Sequence, residues 1–161
     1  MTSSMSIMNA QFVIASHTLV HLDLTENTRL SSEEIATSVD TNAAFIRQII
    51  GKLRDEGLVT AKRGPNGGFS LSKESADISL LDVHQALDAD RIIQIPEYDP
   101  HPQCPIGNNH RSVMYDALSS VEKALAEELA DVTIKQLSLE IRSREMNRAL
   151  NSVASSEDTN E

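Results

Sequence analysis

The chain has little aromatic mass: no tryptophan, two tyrosines and three phenylalanines among 161 residues. Its core must therefore be aliphatic, drawn from the 40% of residues that are hydrophobic. A single cysteine, Cys104, excludes an intrachain disulfide framework and leaves a free thiol or an intermolecular bridge. No apolar run approaches the roughly 18 residues that a membrane helix needs. The N-terminus lacks the basic, apolar and small-residue order of a secretory signal. A cytoplasmic protein with no membrane partner is therefore expected. No Ser/His/Asp set, phosphate-binding loop or paired metal motif is present, which argues against an enzyme. The length suits one domain, or one domain with an arm.

Positive charge is also scarce overall, with a net charge of −10. Its distribution is uneven. Between Ala43 and Lys73 stand six cations (Arg47, Lys52, Arg54, Lys62, Arg63, Lys73) and two anions (Asp55, Glu56), a local +4 against −14 elsewhere. A basic patch of this kind suits phosphate binding, and an ordinary charged helix and loop would look the same by charge alone.

Periodicity predicts the elements. Phe12, Ala15, Leu19 and Leu22 recur at helical spacing over about 9–23. Ser31 and Glu34 fit a capping box at the start of a short helix that turns Ile35, Ala36 and Val39 inward. Asp40-Thr41-Asn42 breaks that helix and can cap the next. Over about 43–56, Phe45, Ile46, Ile49, Ile50 and Leu53 form an apolar stripe, with Arg47, Gln48, Lys52 and Arg54 largely off it. Gly57 supplies the left-handed residue that ends such a helix. Gly51 sits inside it at a cost of about 1 kcal/mol relative to Ala.

The next segment reads as a hairpin. Leu58–Lys62 and Phe69–Leu71 are strands, and Gly64-Pro65-Asn66-Gly67-Gly68 permits the positive φ angles of a tight connection. Ile78–Asp82 opens a fourth helix, capped by Ser79 and ending near Leu87. Four prolines make residues 90–108 irregular. A long helix over about 109–130 carries a stripe of Met114, Leu118, Val121, Leu125 and Leu129. A shorter helix covers about 134–149, and the Ser- and acid-rich tail reads as disordered.

Two short helices joined by a three-residue turn, then a hairpin tipped by Lys62 and Arg63, follow the order of a winged helix-turn-helix. The expected fold is mainly α with a small two-stranded β-wing and a long dimerisation helix. Its boundaries are expected as a DNA-binding unit over 1–88, a sensor loop over 89–108, a helical dimerisation arm over 109–150 and a disordered acidic tail over 151–161.

The segments Ser32-Glu33-Glu34-Ile35-Ala36, Phe45-Ile46-Arg47-Gln48-Ile49-Ile50, Leu53-Arg54-Asp55-Glu56-Gly57-Leu58-Val59 and Arg63-Gly64-Pro65-Asn66-Gly67-Gly68-Phe69-Ser70-Leu71 resemble the Rrf2 family. This is the group of bacterial winged-helix regulators that includes IscR, NsrR and CymR. Ile78-Ser79-Leu80-Leu81-Asp82-Val83 resembles the family's segment after the wing. Cys104-Pro105-Ile106-Gly107 looks like the YwnA-like subgroup. The resemblance implies a homodimer on pseudo-palindromic double-stranded DNA, usually a repressor. It puts base contacts at Ala44, Arg47 and Gln48, with Asn42 at the helix start and the wing arginine at Arg63. Arginine can bind guanine bidentately, and glutamine can read adenine. Asn42 or the free amides beside it can hold phosphate, and Ala44 can touch a thymine methyl. Arg63 suits a narrow A·T minor groove. Lys52, Arg54 and Lys62 are candidates for backbone contacts. Some family members carry an acidic reader at the Arg47 position, so this chain's target sequence is its own.

The sensor also departs from the family's iron–sulfur members, which use three cysteines in a short run. One cysteine argues against a cluster, so no cofactor is expected. Cys104 is instead a candidate thiol sensor, because a helix start favours a thiolate; an inert, partly buried residue is the plainer alternative. His101 and His110 lie near it, and His17 and His21 lie one helical turn apart. All four are read as structural or surface histidines. Two rival functions remain at this level: an iron–sulfur or metal-responsive regulator of the same family, and a winged-helix interaction module that does not bind DNA.

Overall fold

The computed structural model describes residues 10–25, 28–87, 92–93 and 99–157, with side chains to 151. Helix α1 (Ala10–Leu24) turns Phe12, Ala15, Leu19 and Leu22 into the core. Helices α2 (Ser32–Ser38) and α3 (Ala43–Asp55) pack across it. At the start of α2 the Ser31 hydroxyl accepts from the Glu34 amide at 3.2 Å, and the Glu34 carboxylate accepts from the Ser31 amide at 2.7 Å. This is the reciprocal capping box that the sequence predicts. The chain leaves α2 through Asp40 at φ 50°, a left-handed residue that aspartate tolerates. It then re-enters helix at Asn42, whose Oδ1 accepts from the Phe45 amide at 2.8 Å. Ile46, Ile49, Ile50 and Leu53 are the buried side of α3.

Strands β1 (Val59–Lys62) and β2 (Gly68–Leu71) pair antiparallel, with Val59 opposite Leu71 and Lys62 opposite Gly68. The hairpin is anchored at its base. Leu30 and Phe69 exchange backbone hydrogen bonds at 3.1 and 2.8 Å, joining the segment before α2 to β2. A 3-10 turn (Ser75–Asp77) leads to α4 (Leu80–Ala86), capped by Ser79 through a second capping box with Asp82.

Helix α5 (Pro105–Asp131) starts four residues earlier than the stripe predicts. Proline suits the first helical position, where its missing N–H is not needed. Proline at 105 thus opens the helix where the sequence suggests loop. Cys104 is the N-cap itself, with Sγ accepting from the Gly107 amide at 3.3 Å. Gly107 is required there, because a Cβ would lie 2.4 Å from Cβ of Pro100. Of the rest of the expected irregular segment, residues 92–93 and 99–104 are described and lie outside helix and strand, and residues 90–91 and 94–98 fall outside the described residues. Helix α6 (Ile134–Glu157) runs through 151–157, where the sequence suggests a disordered tail. Residues 158–161 lie outside the described set.

The arm is docked through its own hinge. The Leu80 amide donates to the Val132 carbonyl at 2.8 Å, and the Ile134 amide to the Ile78 carbonyl at 2.9 Å. Leu129 and Ile134 flank this hinge and are buried with Ile78 and Val83. Thus α5 packs on α4 and the first turns of α6 pack on α1. Beyond them the arm is bare: Ile106, Val113 and Val121 on α5, and Leu139, Met146 and Leu150 on α6, are all more than half exposed.

Candidate nucleic-acid interface

Burying Ile46, Ile49, Ile50 and Leu53 turns the other side of α3 outward. Ala44 and Gln48 are exposed on that side, and Gly51 follows one turn later. A Cβ built on Gly51 would meet nothing within 4 Å, so packing within this chain does not demand the glycine. Together they make a low strip interrupted by one long polar side chain.

Arg47 flanks the strip and is held in place. Its Nη1 donates to Ser32 Oγ at 2.9 Å and to Glu33 Oε1 at 3.0 Å. Glu33 sits in the first turn of α2, so the pair crosses the helix-turn-helix. Its carboxyl lies below the usual carboxylate range, first through its own backbone amide, then the Ser32 hydroxyl, with Arg47 adding to both. Both partners of the pair are solvent-exposed, so water and salt screen it and it adds little to stability. Its effect is orientation. Sequence reading missed Ser32 and Glu33, because their partner lies 14 or 15 residues away on another helix.

The other cations divide. Lys52 Nζ donates to the Leu87 carbonyl at 3.2 Å, so its ammonium serves the last turn of α4 and is engaged within the chain. Arg54 pairs locally with Asp55 at 3.1 Å. The Asn42 oxygen is committed to its cap, leaving the side-chain NH2 as its remaining donor group. Lys62 and Arg63 stand exposed at the wing tip, with no side-chain hydrogen bond or ion pair among the described residues.

The wing tip is rigid for steric reasons. The Gly67 amide donates to the Gly64 carbonyl at 2.8 Å, closing the turn. A side chain at Gly67 would lie 2.4 Å from the Lys62 carbonyl oxygen. At Gly68, where φ is 128°, a Cβ would lie 2.7 Å from the Leu30 carbonyl oxygen. The same approach brings in a cation that sequence reading overlooked: Arg29 Nη1 donates to the Gly68 carbonyl at 3.3 Å. Arg29 lies far from the wing in sequence, and only the Leu30–Phe69 pairing places it there.

Elsewhere, His17 Nε2 is 2.7 Å from Ser38 Oγ, and its ring meets that of His21 edge-on at 6.1 Å. His101 Nδ1 accepts from the Gln103 amide at 3.3 Å, and His110 is exposed on α5. Among the described residues no three His, Cys, Asp or Glu side chains converge as metal ligands. None of the described helices is long and apolar enough to cross a membrane.

A helix pair with a polar outward face on its second helix, followed by a hairpin tipped by exposed cations, defines a winged helix-turn-helix of the DNA-binding class. Residues 8–140 match the family model Rrf2, described as an iron-dependent transcriptional regulator. The chain is 34% identical over 131 residues to a protein of Bacillus subtilis strain 168 named as the HTH-type transcriptional regulator YwnA, covering 81% of this chain and 96% of that one. Among solved structures, one titled as a DNA-binding protein is 32% identical with a TM-score of 0.62, covering 80% of this chain and 98% of the other. A transcriptional regulator from Lactobacillus plantarum is 25% identical with a TM-score of 0.68, covering 90% and 99%. The chain belongs to the Rrf2 family of transcriptional regulators.

The iron in the family's description does not fit this chain's donors. One thiol per chain and dispersed histidines cannot supply the ligands that iron–sulfur clusters draw from cysteine.

Proposed function

We propose that this protein is a homodimeric repressor that binds a pseudo-palindromic operator in the cytoplasm. In this reading α3 enters the major groove. Arg47 reads guanine through its fork and Gln48 reads adenine, while Ala44 meets a thymine methyl. Gly51 lets the helix sit close to the DNA. Arg63 enters the adjacent minor groove, and Lys62, Arg54 and the Asn42 end of α3 hold phosphates. Lys52 is the weakest member of the set, because its ammonium already serves Leu87.

The observation that carries the reading is the combination of an outward α3 face with two uncommitted wing cations on a turn that glycines hold rigid. Residues 1–88 are the DNA-binding unit in this reading and the helices beyond form the dimerisation arm. Support for the dimer comes from α5, 27 residues and about 40 Å long, with Ile106, Val113 and Val121 facing water in the single chain. A twofold dimer puts two recognition helices on half-sites about one helical turn apart.

Cys104 is the proposed redox input. It caps the helix that would form the dimer seam, so a mixed disulfide there changes the first turn of α5. The test is a mobility shift on DNA upstream of the protein's own gene, with sedimentation in parallel. Arg47→Ala and Arg63→Ala should each weaken the shift while the dimer persists. Unaltered binding in both variants would refute the DNA-reading assignment.

A further inference from the structure

Between α1 and α6 lies a cavity of about 500 Å³, outside the DNA-reading surface. Its size falls in the range of small-molecule sites. Val20 and Leu24 of α1 and Leu137 of α6 give it an apolar wall. Its polar end holds His21, Glu140 and Arg144, with the Arg144 side chain mostly exposed at the mouth. The His21 ring is half-buried and makes no hydrogen bond among the described residues. Arg144 commits only Nε, to Glu140 at 2.6 Å, and both terminal nitrogens of its fork are uncommitted among the described residues. Such a fork matches a carboxylate bidentately.

We propose that this cavity is an effector site for a small organic monocarboxylate with a compact apolar body. The carboxylate sits on the Arg144 fork with the His21 imidazole as its second polar partner. The ring or branched chain lies against Val20, Leu24 and Leu137. Position gives the site a consequence. The cavity joins the arm to the DNA-reading unit, and His17 on its wall is hydrogen-bonded to Ser38 at the end of α2. A ligand that favours one seating of α6 on α1 therefore biases the arm relative to the helix-turn-helix. Binding itself is independent of the DNA-reading proposal, and the test contains no DNA.

The test is a titration of the full chain with benzoate, cyclohexanecarboxylate and 4-methylpentanoate, followed by NMR of the histidine rings. Benzamide serves as the neutral counterpart of benzoate. At least one acid should bind saturably, one per chain, and shift both His17 and His21. Benzamide should bind about tenfold or more weakly, and Arg144→Gln should cost the acid about tenfold while leaving benzamide unchanged. Leu24→Trp, which fills the cavity, should abolish binding in a chain whose helical circular dichroism is intact. The proposal is overturned if none of the three acids saturates, if acid and amide bind alike, or if Arg144→Gln has no effect. It is equally overturned if the histidine signals change only on dilution of the protein, because a second copy would then be the occupant.

Discussion

Arg47 of the recognition helix is tied to Glu33 of the preceding helix by a 3.0 Å ion pair, with Ser32 Oγ as a second acceptor at 2.9 Å. The guanidinium that reads DNA in the proposed complex is thus oriented before DNA arrives. The carboxylate that orients it also adds a negative charge near the phosphates. Glu33→Gln should therefore raise affinity for random DNA and reduce the preference for operator. Arg47→Ala should cost about 1–3 kcal/mol on the operator and relax its choice at one base position. Anisotropy titrations on operator and guanine-substituted operator measure both effects. Unchanged discrimination in Glu33→Gln would show that the pair does not position Arg47.

Arg63 and Lys62 make separate predictions. Arg63→Ala should weaken binding most on sites with an A·T-rich segment beneath the wing. Lys62→Ala should weaken binding similarly on all sequences and lower the salt slope by about one. Affinity measured at several salt concentrations separates the two.

Gly51→Ala should stabilise the folded chain by up to about 1 kcal/mol, because the helix gains propensity and the new methyl meets no atom of the chain. Operator affinity should nonetheless fall. Chemical denaturation and operator titration of the same sample give opposite signs if α3 approaches DNA along this strip.

Cys104→Ser should leave α5 intact, since serine is a good N-cap and can accept from the Gly107 amide as Sγ does. Its thermal midpoint should match or exceed that of the parent chain. Loss of operator binding on mild oxidation should disappear in the variant. Equal loss in both proteins would remove Cys104 as the sensor.

Stability should decline in mild acid. Burial lowers the ionisation of His84, against a smaller raising effect of the nearby Glu122, and burial together with His21 lowers that of His17. Each imidazole binds its proton less readily folded than unfolded. The unfolded chain therefore takes up more protons just below the ordinary value of 6.5. The stabilisation is complete above that value and is lost as pH falls through the lowered folded values. Denaturation midpoints between neutral and mildly acid pH should drop, and His84→Gln should make the drop shallower.

Local features were legible in the sequence. The apolar spacing of α1 and α3, the caps at Ser31, Asn42 and Ser79, and the glycines of the wing all recur in the fold. Each depends on backbone interactions within a few residues, and such interactions are written in adjacent side chains. The departures also have local causes. Proline at 105 is compatible with a helix start, so a proline-rich segment hid the first turn of α5. The polar composition of 151–157 hid the end of α6.

By itself the sequence determined the order of the elements, the inward faces of α1, α2 and α3 and the cluster of cations between Ala43 and Lys73. Tertiary structure decided how those cations are used. It turned Lys52 toward Leu87, pinned Arg47 on Glu33, brought Arg29 to the wing and left Lys62 and Arg63 without a side-chain partner among the described residues. It also set α6 against α1 with a cavity between them. The physical reason is range. Periodicity and caps act over one or two helical turns, whereas the partner of a long side chain is set by which distant segment the core brings alongside.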